Sequence, residues 1–443
     1  MSSVDEYGRW ASLILFLAGF AAFLVLEKHR HWTALIVAAV AVLAGVLTPA
    51  EALQAVNWPI VIVFFATLAC AEVFMLSGAA AVAAEAILAR FRTPVYAILA
   101  LCAMTGFLSL FIENVACVLV AAPIALSLAD RLKIPPQPVL VACALASNLQ
   151  GCGLLIGDPP SMLLAAEANL SFLDFVIYEG RPSIFWAVQV GALAGLAFLY
   201  FVFRKHSGTV HTERSARLIS VVPSLCLLAL VGSLGIATQV EKGIGALAAA
   251  SCAFFTLLSY VWLFLKTRGT SSSKYSADGG LPSFMSMLKT LDWQTVIFVA
   301  AVFVPVAAFA RYGWVDAVAA LILGVSGKSL VLTFIVIVLT SMLVSAFVDN
   351  IPFLLIMLPA VSAMGASLGI PATPIALHFG LLLGVSVGGN ITPIGAQANI
   401  AAVGLLRKRG SPISFRAYIA ISLPYSLIAV AAACLFVYIV YGL

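Results

Sequence analysis

Charge is the scarcest commodity in this chain: only 9% of its 443 residues are Asp, Glu, Lys or Arg. A soluble domain carries about a quarter of its residues as charges to cover its surface, so water cannot be the main solvent here. Histidine is nearly as scarce, with five in all, and HExxH does not occur. That leaves no nucleophile–base pair or metal cluster and argues against an enzyme. The eight cysteines (Cys70, Cys102, Cys117, Cys143, Cys152, Cys226, Cys252 and Cys434) all lie in apolar stretches and form no CxxC pair. A disulfide framework, a structural zinc site and a bound cofactor are therefore not expected. The start, MSSVDEYGRW, mixes charges and runs straight into an apolar segment, so no signal peptide is read. The net charge of +5 belongs to loops on one side of a bilayer rather than to nucleic-acid binding.

What the chain has in abundance is long apolar runs, with 63% of residues hydrophobic. Spans of membrane-crossing length are expected at 11–27, 33–48, 59–77, 138–166, 183–203, 218–236, 243–265, 294–310, 375–405 and 417–441. Two further stretches, 95–129 and 329–362, are each two short helices long, with a polar pair in the middle: Glu113-Asn114 and Asp349-Asn350. This pattern suits a re-entrant hairpin whose tip lies at membrane depth, buried in protein or lining a wet cavity. Segments 79–91 and 314–326 read as interfacial helices, and 204–217 and 266–292 as polar connectors. The fold expected is all-α, about ten transmembrane helices plus two hairpins.

The halves match each other in order. Asn57-Trp58 and Asp292-Trp293 each open a span, and Gly78 and Gly313 each follow the tryptophan by 20 residues. Glu113 and Asp349 come 55 and 56 residues after it, and Pro123 and Pro359 each stand nine beyond the following asparagine. Ile156-Gly157 and Ile394-Gly395 then close two glycine-rich breaks. An odd number of crossings between Trp58 and Trp293 makes 1–217 and 218–443 inverted repeats, the arrangement of many secondary transporters. On this topology 18 of the 23 Lys and Arg residues fall on one side. That side is the cytoplasm by the positive-inside rule, which puts both termini outside it, with the chain in the cell (inner) membrane.

An acid within a membrane is expensive, and Glu113 and Asp349 are candidates for proton or cation binding, or for capping their hairpin helices. Glu72 is a third proton-coupling candidate or an interfacial residue. His378 reads as interfacial, and Asp158 as a helix cap. The second kind of site is a mid-membrane break: Ser147, Asn148, Gly151, Cys152 and Gly157 in one half, Gly389, Asn390, Thr392, Gly395 and Asn399 in the other. Glycine and proline unwind a helix there, freeing carbonyls for cations and helix N-termini for anions. Asn114 and Asn350, beside the acids, complete the candidate set.

These motifs resemble the ion transporter superfamily. The carrying runs are Glu113-Asn114 to Pro123, Ser147-Asn148 to Gly157-Asp158-Pro159-Pro160, Ser345 to Phe353 and Gly389 to Asn399. More narrowly they are similar to its branch of arsenite permeases, the melanosomal P protein and sodium–proton antiporters. The resemblance implies one central site, a transport domain moving elevator-fashion against a scaffold, and a homodimer. It points to secondary transport of a small anion or oxyanion with H⁺ or Na⁺ as coupling ion. Proton-coupled arsenite or antimonite efflux leads, sodium–proton antiport is the alternative, and dicarboxylate or citrate symport comes third because no Lys or Arg is read inside a span. Cys117 and Cys152 lend the arsenite case thiols near the site.

Overall fold

The computed structural model describes residues 3–26, 29–206, 216–268, 284–327, 329–368 and 374–442. Most of the two connectors, 204–217 and 266–292, therefore lies outside the described residues. What is described is nearly all helix. The one sheet among the described residues is a two-residue antiparallel ladder pairing Ile177–Tyr178 with Arg181–Pro182.

The helices are α1 (Ser3–Val25), α2 (Arg30–Leu43), α3 (Pro49–Ala55), α4 (Trp58–Leu76), α5 (Ala79–Leu88), α6 (Pro94–Ser109) and α7 (Asn114–Leu132). They continue with α8 (Pro136–Gly151), α9 (Pro159–Glu167), α10 (Ile184–Phe203), α11 (Val222–Glu241), α12 (Ala246–Thr267) and α13 (Phe284–Thr290). The last are α14 (Trp293–Arg311), α15 (Trp314–Ser326), α16 (Leu330–Ser345), α17 (Asn350–Ser367), α18 (Ile375–Gly388), α19 (Gln397–Lys408) and α20 (Phe415–Tyr441). Among the described residues seven of them (α4, α7, α10, α11, α12, α14 and α20) are long and apolar enough to cross a membrane, or eight if the bent pair α15–α16 is one span. The expected span at 33–48 is shorter than read: α2 stops at Leu43, and the chain turns into the short α3, started by Pro49 and a Thr48–Glu51 capping box.

Local chemistry explains where elements stop. The amide oxygen of Asn57 accepts from Ile60 N–H at 3.3 Å, and the Asp292 carboxylate accepts from Thr295 N–H at 3.0 Å, so both tryptophan-led helices are capped alike. Each tryptophan indole donates to the carbonyl five residues upstream, Trp58 to Leu53 and Trp293 to Leu288. Gly78 and Gly313 sit at φ 75° and 77°, in the left-handed region where a side chain is strained. Each thereby turns the chain from a long helix into the shorter helix that follows.

Two bundles emerge from the packing. In the first, α1, α2 and α14 pack together, α4 packs with α11 and α12, and α4 touches α14. The second gathers α6–α10 and α16–α20 around α8 and α18. Contacts are reciprocal between the halves: α14 lies on α2 as α4 lies on α12, and α19 packs on α7 as α9 packs on α17. α5 packs against both α6 and α7, and α15 against both α16 and α17. The two bundles meet through α4 with α7 and α9, and through α14 with α17.

Candidate transport site

Four chain breaks converge near the junction of the bundles. The segments between α6 and α7 and between α16 and α17 each end on an acid that caps the following helix. The Glu113 carboxylate accepts from Val115 and Ala116 N–H at 3.0 and 3.2 Å, and that of Asp349 from Ile351 N–H at 3.1 Å. The capping expectation thus holds for both acids. The adjacent asparagines are held in matching ways: Ser109 donates to the Asn114 amide oxygen, and Ser345 to that of Asn350 at 2.6 Å.

The unwound stretches 152–158 and 389–396 form the other pair. Their buried asparagines meet. Asn148 donates to the amide oxygens of Asn390 (2.8 Å) and Asn399 (3.0 Å), joining residues more than 240 apart in sequence. Asn390 in turn donates to Leu145 C=O at 3.2 Å, and Asn399 to the freed carbonyls of Gly389 and Thr392 at 2.9 and 3.1 Å. This cluster satisfies carbonyls that the broken helix leaves without a helical partner. Breaking it strands buried polar groups, at about 1–3 kcal/mol each. Asn390→Ala should therefore lower the thermal unfolding midpoint of the purified protein as well as its transport. An unchanged midpoint would show that the cluster carries no structural load.

A cavity of about 140 Å³ opens beside this cluster, where the bundles meet. Of the candidates read from sequence, it is lined by Glu113, Asn114, Asn148, Asp349, Asn350 and Gly395, together with Asp158. Asp158 is the cap of α9, accepting from Ser161 N–H at 3.1 Å and Oγ at 2.8 Å. Ser147, Gly151, Cys152, Gly389, Asn390, Thr392 and Asn399 do not line it; they hold the wall from behind. Ser147 donates to Ser109 Oγ and Asn114 C=O, and Thr392 to Ala346 C=O. Gly157 borders a smaller adjoining pocket with Glu113 and Asp158. Glu72 stays on α4 away from the cavity wall, with one carboxylate oxygen buried and without a partner.

Three readings change. Cys117 and Cys152 are buried off the cavity lining, their thiols turned onto the carbonyls of Ile112 and Leu149. Among the described residues no group of three or more His, Cys, Asp or Glu is placed to hold a metal ion. His378 is buried in protein at 4% exposure and not solvated, its Nε2 3.1 Å from Ser362 Oγ.

The third change is the largest. Arg30, counted above among loop charges, begins α2 and reaches into the cavity. Its guanidinium donates to Asp349 Oδ2 at 2.5 Å and Thr295 Oγ1 at 2.9 Å, and lies 5.0 Å over the Phe298 ring. The Gln397 carboxamide, oriented with its oxygen toward the guanidinium, accepts from Nη2 and from Nη1, the latter at 2.7 Å. Thr295 passes the contact on by donating to Asp292. Arg30, Asp292, Thr295, Phe298 and Gln397 are thus site residues that sequence reasoning did not select. Asp292 and Gln397 carried a signal: the first stands where the other half has Asn57, and the second lies inside the glycine-rich break.

Two helical bundles meeting around one charged cavity, in a chain built to lie in lipid, are the architecture of a multi-pass membrane transporter. Comparison with known proteins gives the family. The family model described as citrate transporter matches residues 13–384 and 276–442, and the chain belongs to that family. It is 27% identical to the uncharacterized transporter Rv2685 of Mycobacterium tuberculosis over 91% of this chain and 92% of that one. The P protein of Mus musculus is 25% identical across 95% of this chain and 59% of its own length, in line with the resemblance read from the motifs. Among solved structures, the YdaH transporter of Alcanivorax borkumensis superposes with a TM-score of 0.58 at 16% identity, covering 99% of this chain and 98% of that one. MtrF of Neisseria gonorrhoeae, described as illuminating a class of antimetabolite efflux pumps, gives 0.50 at 17%, over 91% and 85%. At these identities the two structures speak to the fold alone.

Proposed function

We propose that the chain is a secondary active transporter moving a small anion across the cell (inner) membrane, coupled to protons, by elevator-type alternating access. The observation that carries this reading is the cavity's charge set: one guanidinium, Arg30, among four carboxylates, Glu113, Asp158, Asp292 and Asp349. With all ionised, carboxylates outnumber the cation four to one around one cavity. Such a site takes an anion only if protons or cations enter with it. The coupling ion is thus bound by the same wall that faces the substrate.

Alternating access follows from the two bundles. The first, holding α2, α4, α12 and α14, acts as scaffold, and the second, holding both hairpin tips and both unwound helices, moves against it. The reciprocal packing and the paired caps support two inverted repeats, with α6–α7 and α16–α17 as re-entrant hairpins. We read this as a cytoplasm-facing state with both termini outside, because Arg30 and Asp292, which line the cavity, stand at helix starts on the side expected to be rich in Lys and Arg. A homodimer rests on family resemblance.

The substrate is best read as a carboxylate or oxyanion, since a guanidinium lines the cavity and no thiol does. Arsenite efflux, which the motifs put first, loses the support its thiols lent. Sodium–proton antiport stays as the second reading, favoured by the excess of carboxylates. Flux in proteoliposomes under an imposed proton gradient tests these, with citrate, arsenite and sodium offered separately. Citrate movement that responds to the proton gradient is the expected result. Sodium–proton exchange with no anion movement would replace the proposal with the antiporter.

A further inference from the structure

Resting on the anion reading above, we infer that Arg30 is the group that binds the substrate's anionic end, and that Asp349 is an internal stand-in occupying it while the site is empty. The geometry has three parts. First, Arg30 is held rather than loosely placed: Thr295 accepts from Nη2, the Gln397 amide oxygen accepts from both Nη1 and Nη2, and Phe298 lies beneath the guanidinium plane. Its side chain is 15% exposed and that exposure is to the cavity. Held this way, the guanidinium has one Nη1 donor directed at Asp349 that a carboxylate or an oxyanion could take instead.

Second, the donor facing the cavity is already taken by a carboxylate. Asp349 Oδ2 sits 2.5 Å from Nη1, where a substrate carboxylate oxygen would sit. Its other oxygen is committed to the Ile351 N–H cap. Asp349 and an incoming anion therefore compete for one guanidinium.

Third, the partners belong to different bundles. Arg30 is on α2, against α14, whereas Asp349 caps α17 at the tip of the second hairpin and Gln397 begins α19. The remaining charged groups around the pair are all acids: Asp292 at the start of α14, Glu113 at the tip between α6 and α7, and Asp158 at the start of α9. None of them can replace Arg30 as an anion partner. An anion gains the guanidinium when a proton delivered from bulk solvent neutralises the Asp349 carboxylate, which frees the donor that Asp349 holds. Anion binding and proton uptake are then one event at one residue pair.

The test uses the purified full-length protein, titrated calorimetrically with citrate, succinate and inorganic phosphate across a pH series, with proton uptake recorded in weak buffer. The wild type should bind at least one of the three, more weakly as pH rises, and take up protons as it does. Arg30→Gln should weaken that binding by ~10-fold or more, the scale of a lost charge-assisted hydrogen bond. Arg30→Lys, which keeps the charge without the fork, should fall between, and it decides the matter if the glutamine variant does not fold. Asp349→Asn should retain binding, lose most of its pH dependence and take up fewer protons per anion. Wild-type affinity in both Arg30 variants, or wild-type proton uptake in Asp349→Asn, overturns this inference and leaves anion transport standing. Absence of binding of all three anions by the wild type overturns both.

Discussion

Replacing Gly157 or Gly395 by alanine should abolish transport and sharply reduce the yield of folded protein. A Cβ on Gly157 would stand 2.2 Å from Gly151 C=O and 2.7 Å from Ser109 C=O; one on Gly395 would stand 2.6 Å from Gly389 C=O and 2.8 Å from that of Ala346. Real Cβ atoms do not come this close, and the obstacles are backbone, which cannot rotate away. The unwound stretch must shift off the helix that precedes its acid, pulling Asn148 or Asn390 and Asn399 out of register. Overpacking of this kind costs about 1–3 kcal/mol or more, and here it falls on the element that shapes the cavity. Gly232, Gly324 and Gly404 are the controls. They stand in helices α11, α15 and α19 with nothing within 4 Å of an added Cβ. Alanine there should be neutral or stabilise by up to about 1 kcal/mol through helix propensity. Expression, thermal midpoint and flux together check the contrast, and a folded, active Gly157→Ala protein would contradict it.

Glu113→Gln should bring proton-coupled flux down to the background of empty vesicles while leaving the protein folded. The glutamine amide oxygen keeps an acceptor for Val115 and Ala116 N–H, so the cap survives at a reduced charge. What is lost is the one group at the first hairpin tip that can change charge inside the cavity. A structural role would show itself differently, as a lowered thermal midpoint with residual flux still following the proton gradient. Unaltered coupling in Glu113→Gln would remove this residue from the mechanism.

Much of the site can be read from the amino-acid sequence because its parts are local devices used twice. An acid before an asparagine, a proline nine residues on, and a glycine closing an unwound stretch each answer a nearby backbone demand: a cap, a bend, a close approach. These leave spacing patterns, and Gly157 and Gly395 show why. Each is pressed against carbonyls of the residue six before it and of the preceding hairpin. What local chemistry does not encode is which of these parts faces the cavity. Asn148 lines it while Asn390 and Asn399 back it, a distinction made only when the two unwound helices meet. Cys152 sits in the right segment, but its thiol is turned onto Leu149 C=O.

Arg30 marks the other limit. In sequence it is one basic residue of a short loop, like Lys28 beside it. It becomes a cavity residue because α2 packs on α14, which brings Thr295 and Phe298 under its side chain, and because the second hairpin delivers Asp349 from 319 residues away. His378 follows the same logic. An interfacial position by hydropathy is buried once α17 lays Ser362 over it. Long polar side chains at helix ends have reach that a span-by-span reading does not include.

Movement of one bundle against the other is tested most directly by the distance between them during transport. Spin labels at exposed positions would report it: Leu43 and Ile236 on the α2 and α11 side, Leu193 and Leu339 on the α10 and α16 side. The seven buried native cysteines and Cys434 are first replaced. Pulsed electron spin resonance on the reconstituted protein, with and without a transported anion at low pH, then compares distances within and across bundles. Constant distances are expected for Leu43–Ile236 and Leu193–Leu339, with a second, shifted population for each cross-bundle pair. Cross-bundle distances that stay single and unchanged in a protein that is transporting would contradict that movement.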